Sequence, residues 1–103
     1  MAKLSLSAAP TFVAKVGIPV AGAEPAMVEL TFRHRTRSAL SAWLEQGKDR
    51  ADVDAILDLA SGWDLPDEFN RDNVETLVQN YIGAPAVLVD FYIKELTKAK
   101  LGN

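Results

Sequence analysis

The chain has no cysteine, one histidine and no long apolar run. Each shortage removes a class of function. Without cysteine there is no disulfide scaffold, no thiolate metal site and no cysteine nucleophile, and a reducing compartment is compatible. The one histidine, His34, lies between Arg33 and Arg35 with no nucleophile motif beside it. A nucleophilic triad therefore has no natural base, and His34 reads as a strand-end residue with one face on the core. The longest apolar run, Ala84–Val89, is far short of the roughly 20 residues that a bilayer demands. The N-terminal stretch is broken by Ser5 and Ser7 and stops at Pro10, so a secretory signal ranks low. The six glycines fit no phosphate loop and read as turn or cap residues.

What remains is an ordinary globular composition. Of 103 residues, 49% are hydrophobic and 24% charged, which supports one core and one domain. We expect a flexible N-terminus over 1–10 and one domain over 11–103. Net charge is −3, which does not suggest a nucleic-acid or anionic-membrane binder. The charge is unevenly placed. Residues 33–50 carry five bases against two acids, whereas residues 51–79 carry eight acids against one base. Such blocks pair with each other in the fold or give the surface two faces of opposite sign.

The pattern predicts an α+β chain: an N-terminal antiparallel β-hairpin over about 12–33, then about four short helices over 36–100. Residues 12–20 are rich in β-branched types, and Pro19 confines them to an edge. Residues 27–33 alternate, with Val28, Leu30 and Phe32 on one face. Thr36 caps the first helix, whose stripe is Leu40, Trp43 and Leu44 and whose stop is Gly47. The second helix is expected from Arg50 to Ser61, with Asp49 or Asp52 near its cap. Gly62 would then take the left-handed position after it, and Trp63 would fold back onto Leu57. Asn70 caps the third, Phe69 and Val74 have staple spacing, and the stripe continues through Leu77, Val78, Tyr81 and Ile82 to Gly83. Pro85 opens the fourth, which runs to about Lys100. Its apolar face is wide. We read that face as central to the bundle, with a waiting partner as the second reading.

The other chemistries weigh less than their structural readings. Asp54 and Asp58 share a helix face, but a hard metal wants more oxygen ligands. The acidic stretch 64–73 lacks the glycine and spacing of a calcium loop. Arg33, His34, Arg35 and Arg37 form the one basic cluster, and the first two helices resemble a helix-turn-helix. The second of them, however, carries Asp52, Asp54 and Asp58, which phosphates repel. No catalytic, cofactor or metal site is expected.

Several segments together resemble the tail assembly chaperones of long-tailed bacteriophages and prophages. They are Leu30–Thr36, Ser61-Gly62-Trp63-Asp64-Leu65, Phe69-Asn70, Tyr81-Ile82-Gly83-Ala84 and Tyr92-Ile93-Lys94-Glu95-Leu96, with Asn103 last. The resemblance covers about residues 27–103, with Ile82 where such proteins more often have proline. It implies a non-enzymatic protein of the host cytoplasm, absent from the mature virion and acting without cofactor, nucleic acid or membrane. Its partner would be the tail tape measure protein, kept soluble during tail tube assembly. The tail tube protein is a further candidate partner, and self-association stays open. Ending after its last helix, the chain would be the short form of such a protein or one without a frameshifted extension. Amphipathicity, not a family motif, nominates Leu88, Phe91 and Tyr92 as contact residues. The basic residues Arg33, Arg35 and Arg37 are nominated for an acidic partner. The alternatives are a generic interaction adaptor and, ranked lower, a small DNA-associated regulator.

Overall fold

The computed structural model describes residues 4–98. Two strands come first, β1 (Thr11–Ile18) and β2 (Ala26–Arg33), paired antiparallel with Phe12 opposite Phe32 and Val16 opposite Val28. Alternation decides which face is buried. Val28, Leu30 and Phe32 point inward and are buried, while Met27 and Val13 lie on the solvent face. Gly22 turns the connecting loop at φ +74°, a conformation that side chains rarely tolerate. Pro19 falls just after β1, at the edge of the sheet, where the lost N–H breaks no ladder.

The helices follow as α1 (Arg37–Glu45), α2 (Asp52–Leu59), α3 (Arg71–Asn80) and α4 (Ala84–Thr97). A short 3-10 turn, Gln46–Asp49, joins the first two. Two predicted caps are present. Thr36 Oγ1 accepts from the Ala39 N–H at 3.2 Å, and Asn70 Oδ1 accepts from the Asn73 N–H at 2.9 Å. Pro85 sits in the first turn of α4. The last turn ends at Lys98, which adopts a left-handed conformation at φ 46°. The expected end at Lys100 lies outside the described residues.

Three elements differ from the sequence reading. α2 begins at Asp52 with Ala51 at its cap, and no side chain caps it. It also ends at Leu59, and Ala60–Trp63 becomes a third strand, β3, antiparallel to β2. The strand order β1-β2-β3 puts β2 in the centre. An unpaired β2 edge would leave backbone groups without partners beside the core, and β3 supplies them. Asp64 prolongs the pairing: its N–H donates to the Glu29 carbonyl, and its Oδ1 accepts from the Glu29 N–H, both at 3.0 Å. Gly62 is therefore extended strand, not a left-handed cap, and Trp63 packs on Phe69. Finally, α3 stops at Asn80. Tyr81 and Ile82, expected on its apolar stripe, are exposed, Ile82 at 86%.

One core holds these elements together. Val16, Ile18, Leu30 and Phe32 from the sheet meet Ile56, Leu59, Val74, Leu88 and Tyr92 from the helices. α4 packs against α2, α3 and β1. Its wide apolar face is thereby explained from within the chain.

The strand at 60–63 makes a discriminating prediction. Nothing within β2 approaches a Cβ built on Gly62 more closely than Thr31 Oγ1, at 3.9 Å. Gly62→Ala should therefore stabilise the fold by about 0.5 kcal/mol through the unfolded chain's lost freedom. Urea denaturation reads this directly. A lower midpoint would return Gly62 to a left-handed turn.

Candidate partner-binding site

The chain's two ends of the sheet differ in character. At the end formed by Phe12 and Phe32, five aromatic rings gather. Phe32 lies 5.3 Å from Phe12, 5.7 Å from Phe91 and 5.8 Å from Tyr92, and Trp43 meets Tyr92 edge-on at 5.8 Å. Such contacts contribute beyond the area they bury. Arg35 closes this end. Its Nη1 donates to the Asp58 carbonyl and to the Tyr92 hydroxyl, each at 2.9 Å, and its guanidinium lies 5.0 Å from the Trp43 ring centre. The Tyr92 hydroxyl in turn donates to the Arg33 carbonyl at 2.6 Å.

These contacts place the nominated residues. Leu88 and Tyr92 are buried to 1% and 0% exposure, so in this fold they face the core and not a partner. Phe91 is half-buried against Phe32. Arg35 is engaged in folding through its carbonyl and hydroxyl acceptors. Arg33 and Arg37 are exposed. His34 is exposed as well, and its backbone N–H donates to the Pro10 carbonyl at 2.9 Å.

The acidic helix is also occupied. Asp58 accepts from Trp43 Nε1 at 3.0 Å and lies 3.4 Å from Arg50, itself stacked on the Trp43 ring. Asp54 meets Arg71 at 2.7 Å. That hydrogen bond, and then the carboxylate charge, raise the Arg71 guanidinium above its usual range. No group of three or more His, Asp and Glu residues able to hold a metal occurs among the described residues.

The other end of the sheet is open. A groove of about 350 Å³ runs between the hairpin tip and α3. Ile18, Val20, Ala26 and Val28 form the hairpin wall. Trp63 and Leu65 line it from β3 and the chain after it, and Leu77 and Tyr81 from α3 and its end. Asp67, Asn73, Thr76 and Asn80 supply its polar lining. Trp63 is held in place, since Nε1 donates to the Asp67 carbonyl at 2.7 Å and Phe69 meets the ring edge-on at 5.0 Å. Close to this end, Pro19 Cγ would lie 3.3 Å from a Cβ on Gly83, so the hairpin tip and the α3–α4 turn approach closely. Sequence reasoning did not find this groove, because its walls come from separate segments. Two partial signals were there. Trp63 follows the glycine expected to end the second helix and precedes Asp64, and Tyr81 and Ile82 run up to the helix-stopping Gly83. Both segments, Ser61–Leu65 and Tyr81–Ala84, are among those that carry the family resemblance.

A family model described as phage tail assembly chaperone matches residues 1–103. The chain belongs to that family. The match takes in the first 26 residues, which the resemblance had left outside. No curated protein and no solved structure matches the chain. Among the described residues, no helix is long and apolar enough to cross a membrane.

The aromatic end carries its own test. Tyr92→Phe removes a hydroxyl that serves both the Arg33 carbonyl and Arg35. Leaving these groups short of a partner should cost about 1–3 kcal/mol, seen as a lower denaturation midpoint with native circular dichroism before the transition. An unchanged midpoint would show that water replaces the hydroxyl freely.

Proposed function

We propose that the chain binds the tail tape measure protein and keeps it soluble while the tail tube assembles. Membership of the tail assembly chaperone family over the whole chain carries this reading. The family implies tail proteins as partners and a non-enzymatic role. The tape measure protein is the partner that most needs holding, being a long helical chain with apolar stripes exposed until the tube encloses it. Many weak contacts along one client give a strong total hold and still release in steps as tube subunits arrive. Action takes place in the host cytoplasm, and the chaperone is left out of the finished virion. The tail tube protein is a second client to be tested beside the first. The open groove beside Trp63 supports such contacts, because an apolar stripe needs an apolar seat.

Co-expression tests the proposal. The tape measure protein made alone should pellet after lysis, and with this chain present most of it should stay in the supernatant and co-purify. Equal precipitation in both cases would overturn the reading.

A further inference from the structure

We infer that the groove between the hairpin tip and α3 seats a helical segment of a tail polypeptide whose apolar stripe is flanked by lysine or arginine. This rests on the proposed function and narrows it to one site and one chemistry of client. Three observations lead there. The first is the lining, which is apolar around Trp63 and Leu77 and is open to solvent. Its size suits two or three anchoring side chains, such as a helix presents at successive turns. The second concerns the backbone. β2 backs the groove; it is paired to β1 along its whole length and to β3 from Leu30 to Phe32, with Asp64 bonded to Glu29, so that only Ala26–Val28 keeps an edge outside the β3 pairing. An extended peptide added to β2 would find only that three-residue stretch to pair with, too short for a stable ladder, whereas a helix brings its own backbone bonds and offers only side chains.

The third observation is charge. Asp67 is the one charged residue among those lining the groove. Asp64 and Glu68 stand on the same connection, which holds no base between Trp63 and Asn70. Asp72 lies one turn before Thr76 on α3, and Glu24 is in the hairpin loop. The nearest base in sequence, Arg71, is paired with Asp54 at 2.7 Å. An apolar seat whose one charged lining residue is an acid, on a connection that carries two more acids and no base, favours an apolar stripe flanked by bases and disfavours an acidic one.

Two designed helical peptides test this on the intact chain, one built of leucine and lysine in amphipathic order, the other of leucine and glutamate. Tryptophan emission reports the groove through Trp63, since Trp43 is buried in the aromatic cluster. The lysine peptide should shift the emission and bind at least about tenfold more tightly than the glutamate peptide, a margin that like-charge contact readily supplies. Asp67→Lys should reduce or reverse that preference. Asp67 is exposed and its structural bond uses the backbone carbonyl, so the variant should fold. Val13→Lys, on the outer sheet face, should leave the preference unchanged. Equal binding of the two peptides, or no change in emission with either, overturns the site, and that result needs no variant. The client assay separates the two levels. If the lysine peptide binds with the stated preference but the tape measure protein precipitates, the groove stands and the client reading falls. If the native chain holds the tape measure protein and folded Asp67→Lys and Tyr81→Ser variants hold it equally well, the client reading stands and the groove is excluded.

Discussion

The Tyr92 hydroxyl joins the last helix to the end of the hairpin. It donates to the carbonyl of Arg33, at the end of β2, and accepts from Arg35, just before α1. A phenol with no exposed surface requires such partners, because an unpaired buried hydroxyl is costly. The partners fix where α4 lies. With Tyr92 held at the end of β2, Leu88, one turn earlier, enters the core, and Phe91 comes against Phe32. Arg35 gains a seat between aromatic rings and the α2 backbone, where a guanidinium retains hydrogen bonds while losing water. The basic cluster of the sequence is thereby split. One arginine belongs to the fold, and Arg33 and Arg37 remain on the surface.

Much of this architecture was legible locally. The alternation of Val28, Leu30 and Phe32 describes a strand with one buried face. Thr36 and Asn70 mark helix starts because their side chains reach back to free N–H groups. Pro85 marks another because its missing N–H costs nothing there. These signals act within four or five residues. At Thr36, Asn70 and Pro85 the structure agrees; at the second helix it does not, since neither Asp49 nor Asp52 caps it and Gly62 does not end it.

At Ala60–Trp63 a distant segment decides the local outcome. Nothing in Ala60-Ser61-Gly62-Trp63 announces a strand. It becomes one because β2, some thirty residues earlier, has a second edge to satisfy. Periodicity extended α3 through Tyr81 and Ile82, whereas the turn into α4 leaves both outside. The width of α4's apolar face was correctly read, but width alone does not say what covers it. Its burial against α2, α3 and β1 answers that question within the chain. The same reasoning explains why the nominated contacts Leu88 and Tyr92 turned out to be core. A groove assembled from a hairpin tip, a short strand, a loop and a helix leaves no periodic trace in any one of them.

On the proposed reading, the two ends of the sheet divide stability from binding. Aromatic rings, Arg35 and the Asp58–Arg50 pair satisfy each other at one end, leaving few unpartnered groups there. At the other, Trp63 and Phe69 make an ordered wall whose outer side faces an open apolar space. A pre-formed wall would lower the ordering cost of the proposed client binding, so that modest apolar contact would be enough for a weak and reversible hold. On the same proposal, Asp67 adds charge selectivity without deepening the grip, which would suit a client that is later released. Mutations that weaken folding and mutations that weaken holding should therefore fall at opposite ends of the same sheet, with the Phe32 cluster belonging to the first class and the surroundings of Trp63 to the second.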